Sequence, residues 1–353
     1  MSESERMSAA RAAGGGPPLP PRQVAALVQT AARAPSVHNT QPWRFRVDGN
    51  VLEVRADRAR RLAAVDPRGR EMLISCGAAV YGARLAARSL GYRPDLWLLP
   101  DPRQPDLVAR VRLAARLPVT ARERALLAAV PHRHTRRGGF TGDPLPPGLL
   151  AGLQHDAIAE GAVLMLVRDL VDYQRLADLV EAAGRWQRDD RLVRAELARW
   201  TRPPDSTARD GVPARAYPAT AGPGHGGGRG AGPAGGPAVP RDFDLGRGRG
   251  LVPGGGPLPG TTAILLTAAD TPADWLRAGQ ALYRLLLHAA SRWVFASLHT
   301  EPLESPRLRE LVRVRLGLQG APQVVLAFGP ASTALPTPRR RLAEVVSRTE
   351  NLG

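Results

Sequence analysis

Residues 34–45 read APSVHNTQPWRF, a polar segment that contains two prolines and closes on an aromatic residue. Before it, residues 22–34 carry apolar residues at helical spacing, and Pro35 prevents the helix from continuing. After it, residues 43–57 alternate in polarity around an Asp-Gly-Asn turn, which is typical of a β-hairpin. The sequence therefore predicts a loop that joins a helix to a hairpin.

The rest of the chain alternates between helical and strand patterns. Residues 71–91 are apolar on nearly every side, which indicates a buried helix, and two short strands are predicted within 95–114. Residues 121–167 predict a helix, a basic loop, a helix and a strand, and residues 169–200 predict one or two amphipathic helices. A strand, a second apolar helix over 275–297, a short helix and another strand follow. These elements predict an α+β fold.

The charge of the chain has two interpretations. A formal net charge of +17 is typical of proteins that bind nucleic acid. However, all 49 basic residues are arginine and the chain is rich in Ala, Gly and Pro, which is typical of a G+C-rich genome. Aromatic residues make up 5% of the chain and leave little for base stacking. We therefore expect solvated surface charge and no specific nucleic-acid partner.

The cellular setting is constrained by what the sequence lacks. Cys76 is the single cysteine, which excludes an intramolecular disulfide and a thiolate metal cluster. Its neighbours have helical spacing, so we expect a small buried residue rather than a redox thiol. No apolar run is long enough to span a membrane, and the N-terminus has no secretory apolar region. A cytoplasmic protein with no membrane partner is expected.

The second half of the chain repeats the organisation of the first. Each half contains a long buried helix rich in Ala and Leu, and a strand follows each helix at a short distance. Two such halves predict a pseudo-symmetric pair with a groove at their interface. The predicted boundaries are a disordered leader in 1–21, a first half in 22–120, a second half in 121–200 and 261–346, an insert in 201–260, and a tail in 347–353.

Three segments resemble motifs of the nitroreductase family. APSVHNTQPWRF resembles its flavin-contacting loop, and RHTRRGGF in 133–140 resembles its Arg-x-Ser-x-Arg phosphate motif, with Thr135 in place of Ser. PTPRRRLAEVV in 336–346 resembles its C-terminal basic segment. The flavin loop here precedes the phosphate motif, the reverse of the usual order. This order is similar to the Acg-like branch, which resembles a fused nitroreductase dimer with one FMN and a lid.

The resemblance implies an FMN site. The side-chain amides of Asn39 and Gln41 offer donors and acceptors for the pyrimidine edge of the flavin, and Arg133, Thr135 and Arg137 alternate so that an extended loop points them to one side. The predicted cofactor-binding residues are Pro35, Ser36, His38, Asn39, Gln41, Arg133, Thr135, Arg137, Ser297, Arg339 and Arg340.

Several of these assignments have alternatives. A turn that satisfies its own backbone would explain Ser36 and Asn39 without a ligand. His38 fits an exposed turn residue as well as a flavin neighbour. Ser297 or Leu298, in a loop after the second long helix, is expected to offer a backbone N–H near the flavin N5. No residues at ligand spacing support a metal, and no glycine motif supports a Rossmann domain.

The resemblance implies that the flavin carries the chemistry and that no protein acid or base is required. NAD(P)H would reduce FMN, and a small acceptor such as a nitro compound or quinone would reoxidise it. The alternative is an FMN-sequestering protein with little turnover. The fused order favours a monomeric pseudo-dimer and leaves a weak homodimer open.

The insert bears on the choice between an electron-transferring enzyme and an FMN-sequestering protein. Its Gly and Pro content predicts a mobile linker, because such a segment buries too little apolar surface to offset its ordering entropy. The resemblance implies a lid instead, and two islands at 209–218 and 241–245 carry the aromatic residues Tyr217 and Phe243. We expect both islands to pack near the flavin while 222–238 stays mobile.

Overall fold

The computed structural model describes residues 17–137, 140–141, 143–216, 260–332 and 337–347. Most of the leader, the segment 222–238, the island 241–245 with Phe243, Tyr217, and most of the tail lie outside these residues. No helix within the described ranges has both the length and the apolar character that spanning a membrane requires.

The first half contains a four-stranded antiparallel sheet in the order β1-β2-β4-β3. The loop at 34–42 joins a helix to the predicted hairpin, which is confirmed. The elements of this half are α1 (Pro21–Ala32), β1 (Trp43–Asp48), β2 (Val51–Ala56), α2 (Arg70–Ser89), β3 (Tyr92–Leu98) and β4 (Leu107–Arg116).

The second half contains another four-stranded antiparallel sheet, in the order β5-β8-β10-β9. Its elements are α3 (Ala121–Ala129), α4 (Leu149–Ala159), β5 (Val163–Leu166), α5 (Leu170–Asp189), α6 (Arg191–Trp200), the short parallel pair β6 (Thr201–Arg202) and β7 (Val212–Pro213), β8 (Thr261–Thr267), α7 (Pro272–Ala290), β9 (Val294–Leu298), α8 (Glu301–Glu304), α9 (Pro306–Arg315), β10 (Ala321–Pro330) and α10 (Leu342–Val345). The predicted α+β fold is confirmed.

The long helices α2 and α7 cross at the centre of the molecule through a reciprocal glycine contact. A Cβ on Gly77 would overlap the backbone of Leu276, and a Cβ on Gly279 would overlap the backbone of Ile74. Glycine is required at both positions because the two helix backbones approach too closely for any side chain. Each helix therefore plays the same part toward the other, which is the packing expected of two pseudo-symmetric halves.

A pair of tyrosines continues this symmetry. Tyr81 follows Gly77 by four residues and Tyr283 follows Gly279 by the same interval, so each ring lies one helical turn beyond the crossing. The two rings pack edge to face with centroids 6.1 Å apart. The aromatic pair thus lies near the pseudo-twofold axis. The charged residues near the Tyr81 hydroxyl differ from those near the Tyr283 hydroxyl.

The Pro-Ser segment is anchored in the core by the two aromatic residues that follow it. Trp43 and Phe45 are fully buried on β1. Cys76 is also fully buried, and its Sγ lies 3.2 Å from the carbonyl oxygen of Pro42. Burial raises the pKa of this thiol well above its ordinary value, so it stays protonated and inert.

Both ends of the described chain pack on the first half. Val346 forms a parallel bridge with Phe45 at the free edge of β1, and the Ser347 N–H donates to the Phe45 carbonyl at 2.8 Å. The Leu19 N–H donates to the Gly49 carbonyl, two residues before α1 begins. The C-terminal segment therefore crosses from the second sheet to the first and brings its arginines to the interface.

Candidate functional site

The Pro-Ser loop, residues 34–42, has a strained backbone. His38, Asn39 and Gln41 have φ values of 45°, 54° and 50°, in the left-handed region that non-glycine residues seldom adopt. All three residues are buried, so the exposed-turn alternative for His38 is wrong. The Ser36 hydroxyl accepts a hydrogen bond from the Gln41 N–H at 3.0 Å and closes the turn. Surrounding contacts must hold this conformation.

Asn39 supplies one set of those contacts. Its Nδ2 donates to the Gly211 carbonyl at 3.0 Å, and its Oδ1 accepts from the Arg339 guanidinium at 3.0 Å. The Gly211 N–H in turn donates to the Asn39 carbonyl at 3.2 Å. Asn39 therefore joins the insert and the C-terminal segment to the loop.

Gln41 does the same one residue further on. Its Nε2 donates to the Arg209 carbonyl at 2.8 Å, and its Oε1 accepts from the backbone N–H of Arg340 at 2.8 Å. Both amide ends are thus engaged by the protein itself. A direct contact of Asn39 or Gln41 with a flavin stays a prediction, and the role that the structure gives them is to organise three segments.

A buried arginine cluster lies next to this loop. The Arg133 guanidinium donates to the Arg33 carbonyl at 3.5 Å and lies 5.9 Å from the centre of the Tyr283 ring. The Arg339 guanidinium donates to the carbonyls of Arg33 at 3.3 Å and Ala34 at 3.1 Å. Two residues predicted from separate motifs, more than two hundred positions apart, therefore meet at the start of the Pro-Ser loop.

The cluster is electrostatically unfavourable as it stands. Burial and the neighbouring charge of Arg133 lower the pKa of Arg339 to about 9, and Arg137 acts in the same direction. Burial also lowers the pKa of Arg133. No ion pair joins Arg133 or Arg339 to a carboxylate among the residues that the structure describes. An anion at this position would relieve the repulsion.

Three polar atoms in the cluster are buried without a hydrogen-bond partner among the described residues: the Nε atoms of Arg133 and Arg339 and the hydroxyl of Tyr283. All three can donate a hydrogen bond. A buried donor that is left unpaired costs about 1–3 kcal/mol, so such groups normally face a partner. A phosphate group, with several acceptor oxygens and a negative charge, satisfies both the geometry and the charge of the cluster.

His134 adds an acceptor that sequence reasoning missed. Its Nδ1 lies 2.7 Å from the His132 carbonyl, which can only accept, so Nδ1 carries the proton and Nε2 carries the lone pair. Nε2 is buried without a partner in the described structure, and burial lowers the pKa of the ring so that it is neutral. The ring packs on Phe295, with centroids 4.4 Å apart. A ligand hydroxyl is the group that this nitrogen would accept from.

The strand β9 corrects the prediction for Ser297, which lies in a strand rather than a loop. Thr135 forms a parallel bridge with Ala296, whose carbonyl accepts from the Arg136 N–H at 2.8 Å on the edge away from β10. Amides of successive residues point to opposite edges of a strand. The Ser297 N–H therefore faces β10, and the Leu298 N–H faces the outer edge, where the phosphate motif lies.

A narrow apolar pocket lies between the halves, beside the Pro-Ser loop. Pro35 and Ser36 line it from the first half, and Leu282, Leu298 and Thr300 line it from the second. Arg133 and Arg339 bind the carbonyls directly before Pro35, and Leu282 precedes Tyr283 on α7. Residues bound by the cluster and residues that line the pocket are therefore neighbours on the Pro-Ser loop and on α7.

The cluster opens to solvent through a basic pocket of about 570 Å³. Arg33, Arg209, Arg339 and Arg340 are among its lining residues. Arg340, however, turns its guanidinium toward Asp57, at 3.8 Å, and away from the cluster. The arginines predicted in the C-terminal segment therefore separate, and Arg339 is the one that meets Arg133.

Metal ligands do not come together in the residues that the structure covers. No group of three or more His, Cys, Asp or Glu side chains in the described ranges could hold an ion. His132 instead packs against the ring of Trp293, with centroids 5.7 Å apart.

Comparisons with known proteins agree with the resemblance. No protein-family model matches the chain. Over 341 residues the chain is 33% identical to a Mycobacterium tuberculosis H37Rv protein named "Putative NAD(P)H nitroreductase", a match that covers 93% of this chain and 92% of the relative. Over 328 residues it is 27% identical to "Putative NAD(P)H nitroreductase acg" of the same strain, with 91% of this chain and 94% of that relative covered.

The solved structures that align with the chain have lower sequence identity. The FMN and NADPH-dependent nitroreductase NfnB from Sphigopyxis sp. strain HMH aligns with a TM-score of 0.38 and 17% identity, over 63% of this chain and 98% of that one. A nitroreductase with bound FMN from Bacteroides fragilis aligns with a TM-score of 0.37 and 13% identity, over 64% of this chain and 98% of that one.

Proposed function

The chain belongs to the nitroreductase family, in its Acg-like branch, and from this premise we propose that it binds one FMN and passes electrons from NAD(P)H to a small acceptor such as a nitro compound or quinone. The observation that carries the proposal is the set of buried, unpartnered donors of Arg133, Arg339 and Tyr283 beside the Pro-Ser loop. These donors fit the phosphate of a flavin nucleotide in charge and in hydrogen-bonding capacity.

The phosphate would lie between Arg133 and Arg339, with Arg137 contributing long-range attraction. Each charged donor to a phosphate oxygen is worth about 1.5–3 kcal/mol. Because repulsion within the cluster is relieved at the same time, binding of the phosphate and folding of the site support each other.

The ring would lie in the pocket between Pro35 and Leu298, where both halves contribute side chains. When bound, FMN supplies the redox chemistry, since it accepts a hydride from NAD(P)H and gives electrons to the acceptor. The chain's own part is to orient the ring and to exclude water. The outward-facing N–H of Leu298 is the candidate hydrogen-bond donor to the ring, and Ser297 is less suited because its amide faces β10.

The described part of the insert favours restricted access as the second candidate function. Asp210 pairs with Arg60 and Arg202, and the neighbouring carbonyls of Arg209 and Gly211 bind the Pro-Ser loop. A segment fixed this close to the site would hinder the approach of nicotinamide. Such a protein would hold FMN firmly and turn over slowly, as a sequestering protein does.

We further propose that the working unit is a monomer located in the cytoplasm. Residues from both halves of one chain complete the site, so a second copy is not needed for it. A homodimer would then add no residue to the flavin site. Gel filtration of the yellow protein tests this directly.

The experiment for the function starts with an absorbance spectrum of the purified protein and its change on anaerobic addition of NADPH. An oxidised-flavin band that bleaches supports the enzyme, and a band that persists supports the sequestering protein. Flavin affinity is then measured for the variant R133A/R137A. Loss of FMN affinity with riboflavin affinity retained is expected, and equal losses for both flavins would show that these arginines do not bind phosphate.

A matched control keeps the charge change the same. R185A/R313A removes two arginines from exposed helix faces, where each pairs with a glutamate one turn away. Its flavin affinities should equal those of the natural protein. A loss in the control equal to that in R133A/R137A would point to bulk charge instead of the site.

A further inference from the structure

Tyr283 occupies an unusual position below the arginine cluster. It is fully buried on α7, its hydroxyl has no hydrogen-bond partner among the described residues, and its ring lies beneath the Arg133 guanidinium. Burial raises the pKa of the phenol, so the hydroxyl is protonated at neutral pH and available as a donor. Phenylalanine would fill the same volume without burying an unpaired polar atom.

Among the described residues, no carboxylate acts on the Tyr283 hydroxyl, whereas Glu160 and Asp156 act on Tyr81. Around Tyr81, Arg84 pairs with Glu160 at 2.6 Å, and Arg284 pairs with Asp156 at 2.7 Å. Around Tyr283 the charged neighbours within the described residues are Arg133, Arg339 and Arg33. The two tyrosines occupy equivalent places in the fold, and within the described residues only Tyr283 lacks a neighbouring carboxylate.

We propose that the Tyr283 hydroxyl donates a hydrogen bond to the phosphate of the bound nucleotide, as a ligand beside Arg133 and Arg339. The proposal rests on the proposed FMN function. It assigns to a helix-core tyrosine a part in phosphate recognition that the loop motifs do not contain. It also gives the phosphate a neutral donor from helix α7. The guanidinium groups come from the phosphate motif, through Arg133, and from the C-terminal segment, through Arg339.

The test compares Tyr283→Phe with Tyr81→Phe. Dissociation constants for FMN and riboflavin are measured by quenching of flavin fluorescence, and inorganic phosphate is titrated as a competitor of FMN. Y283F should raise the FMN dissociation constant about five- to tenfold, leave riboflavin unchanged and weaken phosphate competition by a similar factor. Y81F should change none of these.

The melting temperature of the flavin-free protein separates a ligand role from a structural one. Removing an unpaired hydroxyl should leave this temperature unchanged or raise it, whereas a structural hydroxyl would lower it. An FMN affinity that is unchanged in Y283F, or lost equally for both flavins, overturns the assignment of Tyr283 and leaves the function standing. A natural protein that prefers neither flavin overturns the function itself.

Discussion

Two arginine clusters lie at the ends of the same tyrosine pair, and they differ in one respect. Beside Tyr81, Arg84 and Arg284 are neutralised by the buried carboxylates of Asp156 and Glu160. Beside Tyr283, no carboxylate within the described residues neutralises the arginines. One half of the pseudo-symmetric molecule thus carries its own anions, and in our proposal the other half receives its anion from the bound nucleotide. The difference explains why one flavin per chain is expected.

The largest effect on stability is expected from a substitution in the neutralised cluster, which consists of Arg84, Arg284, Asp156 and Glu160 beside Tyr81. Asp156 is fully buried and binds Arg122, Arg284 and His288, the last at 2.6 Å. D156A would leave buried cations unpaired, so the free energy of unfolding should fall by about 3–5 kcal/mol in urea denaturation. E181A, which removes an exposed i,i+4 partner, is the control and should change stability by less than about 0.5 kcal/mol.

The pH dependence of stability checks the same cluster. Burial acts to raise the pKa of Asp156, but the hydrogen bond from His288 and the charges of Arg284 and Arg122 outweigh it and lower the pKa overall. A carboxyl with a lowered pKa stabilises the fold above its unfolded value, near pH 4, and the contribution is lost as the pH falls further. D156A should lack this acid-dependent component.

The opposite change in the free energy of unfolding is expected for the open cluster, which consists of Arg133 and Arg339 beside Tyr283. R133M removes a buried cation that has no anionic partner, so the ligand-free protein should gain about 1–3 kcal/mol of stability. The same variant should bind FMN about 10- to 150-fold more weakly, because a charged donor to phosphate is lost. Chemical denaturation without flavin and fluorescence titration with FMN measure the two effects. A loss of stability in R133M would remove the distinction between the clusters.

A smaller effect is expected in the pH dependence of FMN binding at the open cluster. Arg339 has a pKa lowered to about 9, and a bound phosphate raises that value by attraction. Between these values, binding takes up a proton, so the FMN dissociation constant should increase by up to about tenfold per pH unit above 9. Riboflavin is the control, since it lacks the phosphate and shares the ring. Parallel curves for the two flavins would exclude Arg339 from phosphate binding.

The smallest effect concerns the insert, whose residues 209–211 contact the Pro-Ser loop and Arg339. D210N weakens the pairs with Arg60 and Arg202 and should loosen the segment held by Asn39 and Gln41. Flavin reduction by NADPH should accelerate by at most about fivefold in stopped-flow absorbance. D205N, an exposed change in the same segment, should have no effect. An unchanged rate in D210N would mean that this segment does not limit access.

Sequence patterns predicted the elements that are determined by residues close together in the chain. The helices at 70–89 and 272–290 were predictable because their apolar residues repeat along a single helix. Residues 294–297 were predicted as the end of the second long helix, and Leu298 as part of the loop after it, because the run VFASL becomes a strand only through its pairing with β10. The pairing partner lies far along the chain, and no periodicity reports it.

The site was predictable in its motifs and not in its contacts. Arg133 and Arg339 stand out in the sequence because they belong to recognisable segments. The partners of Asn39 were hidden, since its bond to Gly211 spans 172 positions. Tyr283 looks like one more apolar position on a buried helix. The one available signal was its spacing from Gly279, which Tyr81 repeats after Gly77.

The glycine crossing between α2 and α7 has a consequence for how such a protein can evolve. In two identical subunits, a single codon encodes both sides of a symmetric contact, and every substitution appears twice. In this chain Gly77 and Gly279 are separate codons, yet neither tolerates a side chain because the opposite backbone is too close. Substitutions at the helix crossing are thus excluded, whereas the regions around Tyr81 and Tyr283 can each change independently. Asp156 illustrates this freedom, since its carboxylate pairs with Arg122, Arg284 and His288 of one flank.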